Sequence, residues 1–146
     1  MNILVIDDET EFADALSKTL EALGHRPSQA FTGAEGLLKA KSDPPDAVLL
    51  DINMPDISGM GLLPDLRRMA PELSVVMITG QASHRTAVEA IKLGAEDYLE
   101  KPFQLEDLKL VLARISQKVD LRRQLKEVKQ RRVDDYAREY LFLNDG

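Results

Sequence analysis

Asp7, Asp8, Asp51, Thr79 and Lys101 are the residues of this chain whose types and positions could do chemistry together. Asp7 and Asp8, Asp51, and Thr79 follow short apolar runs at residues 3–6, 47–50 and 75–78, and Lys101 follows a weaker strand candidate at 97–99. Three carboxylates brought within a few ångströms repel one another, by about 4 kcal/mol per pair at about 4 Å in an effective dielectric of about 20. They must protonate or share a cation. A small, oxygen-only donor set with room for water suits Mg²⁺. A metal so held would neutralise charge on a transferring phosphoryl group. Lys101 would add a second cation and Thr79 a hydroxyl donor, which is what phosphoryl transfer asks of a protein. Asp51, behind the central stretch, is the candidate nucleophile.

For these residues to meet, the stretches that carry them must lie side by side. Residues 3–6, 47–50 and 75–78 are near-continuous apolar runs rich in branched side chains. Such runs predict strands buried on both faces of a parallel sheet. Residues 25–31 and 97–99 are weaker strand candidates. Helical patterns separate them. Residues 10–23 put Phe12, Leu16, Leu20 and Leu23 on one face, residues 34–40 form a short helix, and residues 59–69 align Leu62, Leu63, Leu66 and Met69. Residues 83–93 present Ala87, Ala90, Ile91 and Leu93, and Gly24 and Gly94 stop the helices before them. A last helix starts at Leu105 and meets no clear break until beyond Arg132.

Five βα units with right-handed crossovers predict an α/β fold, a doubly wound five-stranded parallel sheet covered by helices on both faces. Ligands of such folds sit beyond the carboxyl ends of the strands. Taken singly, the residues have ordinary readings. Asp7 and Asp8 suit a helix N-terminus, Asp51 an ordinary loop, Thr79–Gly80 a turn, and Lys101 precedes a proline. Their joint order on successive strands selects the site.

Composition narrows the class. A chain of 146 residues points to one domain. The absence of cysteine rules out disulfides and thiolate metal sites. No stretch approaches a membrane span, and residues 3–6 are too short for a signal-peptide core, so a cytoplasmic protein without membrane contact is expected. The net charge of −6 argues against this chain itself gripping nucleic acid. Residues 1–117 hold 11 Lys+Arg against 19 Asp+Glu, a net of −8, and residues 118–146 hold 8 against 6, a net of +2. An acidic head of 1–117 and a mildly basic helical extension of 118–146 suggest two jobs.

The motifs Val5-Ile6-Asp7-Asp8-Glu9, Leu49-Leu50-Asp51-Ile52-Asn53-Met54-Pro55-Asp56-Ile57-Ser58-Gly59, Met77-Ile78-Thr79-Gly80 and Asp97-Tyr98-Leu99-Glu100-Lys101-Pro102-Phe103 resemble those of the response-regulator receiver domains of bacterial two-component signalling. The resemblance covers residues 1 to about 117. It implies a flavodoxin-like, CheY-like fold with strand order 2-1-3-4-5. It implies Asp51 as the acceptor of a phosphoryl group from a sensor histidine kinase. Mg²⁺ would be held by Asp8, Asp51 and the backbone carbonyl of Asn53, with Asp7 acting chiefly through a metal-bound water. Lys101 and Thr79 would contact the phosphoryl group. Tyr98 would turn inward when Thr79 moves, changing the surface of helix four, strand five and helix five. Asn53 and Gln81 fall where the family tunes phosphoryl lifetime, and Lys101–Pro102 is a candidate cis peptide. His25 and His84 lie off these motifs and are expected to face solvent, so the chain reads as a phosphoryl receiver and not a phosphohistidine donor.

Beyond residue 117 the helix continues. Leu108, Leu112, Ile115 and Val119 keep a 4-3-4 spacing, Arg122 and Lys126 then fall on the seam, and Leu121, Leu125 and Val128 resume it one residue out of register. A homodimer through this helix, or through the helix 4–strand 5–helix 5 face, is expected. The stretch 97–103 and the long helix resemble regulators of the nitrogen-regulator (NtrC) class, which implies transcriptional output through a downstream ATPase outside this chain. A stand-alone receiver acting by protein contact is the alternative. A haloacid-dehalogenase-type phosphatase would need an acid two residues after the nucleophile, where Asn53 stands. A flavin carrier would need a Ser/Thr/Gly phosphate loop where Asp7-Asp8-Glu9 stands.

Overall fold

The computed structural model describes residues 1–81 and 83–144. Strands and helices alternate without exception: β1 (Asn2–Ile6), α1 (Thr10–Ala22), β2 (Arg26–Ala30), α2 (Gly33–Ser42), β3 (Ala47–Asp51), α3 (Gly59–Met69), β4 (Ser74–Thr79), α4 (His84–Lys92), β5 (Asp97–Glu100) and α5 (Leu105–Asn144). All pairings are parallel and the order is β2-β1-β3-β4-β5, the flavodoxin-like arrangement that the family resemblance implied.

β3 and β4 are buried along their whole length, as is β1 after Asn2, which is why they read as unbroken apolar runs. β2 and β5 each have one neighbouring strand and expose part of their length, so their signal is weaker. Alternate strand residues face opposite sides of the sheet. Leu4, Ile6, Val48, Leu50, Val75 and Met77 join Leu62, Leu63 and Leu66 of α3 in one core cluster. Ile3, Val5, Leu49, Val76 and Ile78, on the other face, are also buried, as are Leu16 and Leu20 of α1. Each such side chain contributes roughly 1.5–3 kcal/mol by leaving water. This double-sided burial holds the strand ends, and hence the polar residues on them, in fixed register.

Helix ends follow local chemistry. Gly24 and Gly94 take positive φ (91° and 104°), the left-handed conformation that stops α1 and α4. Thr32, Ser58 and Ser83 cap α2, α3 and α4 through their hydroxyls. α4 departs from expectation. Only Ala90 is buried, while Ile91 is 50 % exposed and Leu93 36 %. The helix lies down on its smallest residues, and Ile91, about 100° round the helix from Ala90, is left on the flank. His25 also departs. It is half-buried, and its Nδ1 lies 3.0 Å from the Met1 amino group.

The chain divides into two compact units, Met1–Val111 and a second that begins at Leu112. The second unit continues α5, and Leu121, Leu125, Val128, Val133, Tyr136 and Leu143 are exposed on it. Among the described residues, no helix is long and apolar enough to cross a membrane.

Candidate functional site

Asp51 is the last residue of β3 and Thr79 the last of β4, while Asp7 directly follows β1 and Lys101 directly follows β5. Because these strands are parallel neighbours, their ends share one rim. Carboxylate oxygens of Asp7, Asp8 and Asp51 all lie within 4.8 Å of one another. Asp7 and Asp51 are buried and Asp8 is exposed, so the cluster opens to solvent on the Asp8 side.

The hydrogen bonds give each oxygen a task. Asp7 Oδ1 accepts from the Glu9 backbone N–H at 2.9 Å, and Oδ2 accepts from Lys101 Nζ at 2.6 Å. Helix capping therefore describes half of Asp7, since Glu9 itself caps α1 without a side-chain bond. Asp51 Oδ1 accepts from the Asn53 N–H at 3.2 Å, and Oδ2 lies 3.8 Å from Lys101 Nζ. Glu9 Oε1 approaches the same ammonium at 3.5 Å. The Lys101 N–H donates to the Thr79 carbonyl at 2.7 Å, fastening the end of β5 to that of β4. Thr79 Oγ1 is buried and accepts from the Gln81 N–H at 3.1 Å. Lys101–Pro102 is cis, as the resemblance implied.

The electrostatics follow from crowding. Burial and then the Asp7 charge raise the Asp51 carboxyl to about 6, against the opposing pull of the Asn53 N–H and Lys101, with Asp8 adding to the rise. For Lys101, burial alone would lower its pKa, yet the Asp7 hydrogen bond and the Asp51, Asp7 and Glu9 charges together raise it. One ammonium thus faces several acids. That imbalance, with oxygen donors only, fits a hard divalent cation.

The loop after Asp51 is shaped by a close approach. A Cβ on Gly59 would lie 2.3 Å from the Asp51 carbonyl oxygen and 2.7 Å from the Ile52 Cα. The Gly59 N–H donates to the Ile52 carbonyl at 2.7 Å. Backbone on both sides cannot yield cheaply, so Gly59→Ala is expected to cost about 1–3 kcal/mol of stability. Urea unfolding checks this, and a wild-type midpoint would contradict the crowding.

Of the residues marked in the sequence, Asp7, Asp8, Asp51 and Lys101 come together and Thr79 ends the neighbouring strand. Asn53 is exposed beside Asp51. Tyr98 is half-buried and stands apart from the acid cluster in its bonding, its hydroxyl 2.9 Å from Thr86 Oγ1 on α4. Sequence reasoning passed over four contributors. Phe12, read as a core residue, lies under the Lys101 ammonium. Glu9 completes the acid group around Lys101. Thr86 holds Tyr98. Asp56 accepts from the N–H groups of Gly33 and Ala34, tying the loop after β3 to the start of α2. An acid next to a proline in a loop was a visible signal for Asp56; nothing in the sequence pointed to the other three roles.

Comparison with known proteins agrees with this geometry. A model of the response regulator receiver domain matches residues 3–113. The acid tolerance regulatory protein ActR of Rhizobium meliloti is 36 % identical over 107 residues, covering 73 % of this chain and 55 % of that protein. An NtrX-like response regulator of Rickettsia conorii is 32 % identical over 136 residues, 92 % of this chain and 29 % of that protein, a match that runs past the receiver part into α5. Among solved structures, NtrX of Brucella abortus in complex with ATP superposes with a TM-score of 0.79 at 36 % identity, over 87 % of this chain and 29 % of that one. A CheY-like receiver domain from Methanospirillum hungatei superposes with 0.76 at 31 % identity, over 82 % and 96 %. The chain thus spans about half or less of the length of these curated relatives. Parallel β2-β1-β3-β4-β5 topology, three acids and a lysine on one strand-end rim, and a family match over most of the chain agree: the chain belongs to the response regulator receiver domain family.

Proposed function

We propose that this chain is a phospho-accepting switch in which Asp51 takes a phosphoryl group from a sensor histidine kinase with Mg²⁺ as cofactor. The observation that carries the reading is the cluster of Asp7, Asp8 and Asp51 with Lys101 reaching two of the three acids. Asp8, Asp51 and the backbone carbonyl of Asn53 would hold the ion, with Asp7 beside it. Bound there, Mg²⁺ supplies charge neutralisation on the transferring group. An oxygen of the Asp51 carboxylate attacks phosphorus, the bond from phosphorus to the donor nitrogen breaks, and the imidazole leaves with its electron pair. The Asn53 N–H on Oδ1 orients the attacking carboxylate. Lys101, which lies between Asp7 and Asp51, would pair with the new phosphoryl charge, and Thr79 would donate its hydroxyl to it.

The switch follows from competition for partners. Thr79 Oγ1 is held by Gln81 and Tyr98 by Thr86. A phosphoryl group on Asp51 draws Thr79 toward it, and Tyr98 leaves Thr86 for the space behind it, which remodels the α4–β5–α5 face. In this reading residues 1–117 receive the signal and residues 118–146 pass it on. The exposed Leu121, Leu125 and Val128 supply a helix face for a second copy, and transcriptional output comes from a domain beyond this chain. The resemblance to ActR and NtrX-like regulators supports that output.

Borohydride tests the acceptor directly, since it reduces an acyl phosphate to an alcohol. After phosphorylation, reduction and peptide mapping, homoserine is expected at position 51. Homoserine at another acid, or none, would contradict the assignment.

A further inference from the structure

The acids around Lys101 account for only part of its surroundings. Its ammonium also sits 4.1 Å from the centroid of the Phe12 ring, in the first turn of α1. Phe12 meets Phe103 edge to face, with centroids 5.9 Å apart and planes at 89°. Phe103 follows Lys101 by two residues, so the chain after β5 grips the Phe12 ring twice. One grip is by charge and the other by an aromatic edge. Ala15, Leu16 and Leu108 continue the apolar wall beside these rings.

We propose that Phe12 is a positioning residue for phosphoryl acceptance: its ring holds the Lys101 ammonium at the mouth of the acid cluster, between Asp7 and Asp51. This role rests on the phospho-accepting reading given above. The argument is one of direction. An ammonium has three N–H donors set tetrahedrally about Nζ, so each partner it serves takes up one of them. Here Asp7 takes the short bond at 2.6 Å, while Asp51 stands at 3.8 Å and Glu9 at 3.5 Å. To serve a phosphoryl group on Asp51, Lys101 must turn from Asp7 without drifting toward the exposed Glu9. The attraction of a ring face for a cation is electrostatic and does not consume a particular N–H. It therefore persists while the N–H donors change partners. The ring also takes the place of water on that side, which strengthens the charge felt at Asp51. A carboxylate in place of the ring would compete with the phosphoryl group, and an aliphatic side chain would offer the ammonium no attraction on that side.

A fluorine series separates this electrostatic role from simple packing, because each fluorine weakens the ring's attraction for a cation with little change of shape. Mono-, di- and trifluorinated phenylalanine are placed at position 12, and the rate of phosphorylation by acetyl phosphate with Mg²⁺ is read by intact mass. The rate is expected to fall stepwise, by about fivefold in all, and Phe12→Trp is expected to keep the parent rate or exceed it. A flat series, with loss only in Phe12→Leu, would overturn the proposal and leave Phe12 a packing residue. A double-mutant cycle of Phe12→Leu and Lys101→Met, read by urea unfolding of the metal-free protein, tests the contact without phosphorylation. Non-additive effects are expected, and additive effects would overturn the proposal. Coupling in the cycle, combined with a parent chain that accepts no phosphoryl group, would instead locate the failure in the functional reading.

Discussion

At pH 8 and without divalent metal, Asp51→Asn is expected to unfold at a higher urea concentration than the parent chain, even though it removes the central residue of the site. The reason is the position of the Asp51 carboxyl, buried and beside Asp7, which raises it from 3.8 to about 6. The folded state then binds the Asp51 proton more tightly than the unfolded state does. Where the folded state holds more protons, stability falls as pH rises. The loss develops between about pH 4 and 6, and is complete above that window. It amounts to at most about 3 kcal/mol, from roughly 1.4 kcal/mol per pH unit of separation. Below pH 4 the carboxyl is protonated in both states and the loss disappears. Asparagine carries no charge at any pH, so the gap between the two proteins should be near zero at pH 3.5 and open across the window. Mg²⁺ should narrow it, because an ion bound at one hundred times its dissociation constant stabilises the parent by about 2.7 kcal/mol. A gap that did not change with pH would contradict the assignment of the strain to Asp51.

The second large effect is kinetic. Lys101→Met is expected to slow phosphoryl acceptance by roughly a hundredfold or more, the usual consequence of removing one charged donor aimed at a developing anion. Mg²⁺ binding should not weaken with it. Lys101 is a cation among the acids, and its removal leaves more negative charge for the metal. A fall in rate with unchanged or tighter metal binding therefore distinguishes a role toward the phosphoryl group from general damage. Titration of Mg²⁺ alongside single-turnover phosphorylation measures both. A parent-like rate in Lys101→Met would remove Lys101 from the chemistry. Parallel loss of rate and metal affinity would make it a structural residue.

Much of this site was legible because the strands that carry it are buried on both faces. The runs at 3–6, 47–50 and 75–78 can be nothing but apolar, so the polar residue after each one stands out. Strand order is another matter. Periodicity places no strand beside another, and the order 2-1-3-4-5 came from the family resemblance. Edge strands β2 and β5 signalled weakly because water reaches part of them. α4 misled because a short helix resting on Ala90 can leave Ile91 outside. The contacts of Phe12, Glu9 and Thr86 were hidden for a third reason. They join residues far apart in sequence through side-chain directions that no local pattern encodes. Phe12 fits the apolar stripe of α1 equally well whether or not a lysine lies over it.

The central claim is that Asp51 accepts a phosphoryl group when metal is bound. Intact mass after incubation with Mg²⁺ and acetyl phosphate tests it most directly, with Asp51→Asn and a chelated sample run alongside. One phosphoryl adduct is predicted on the parent chain with metal, and none on either control. An adduct of equal abundance on Asp51→Asn, or no adduct on the parent chain with metal present, would contradict the account.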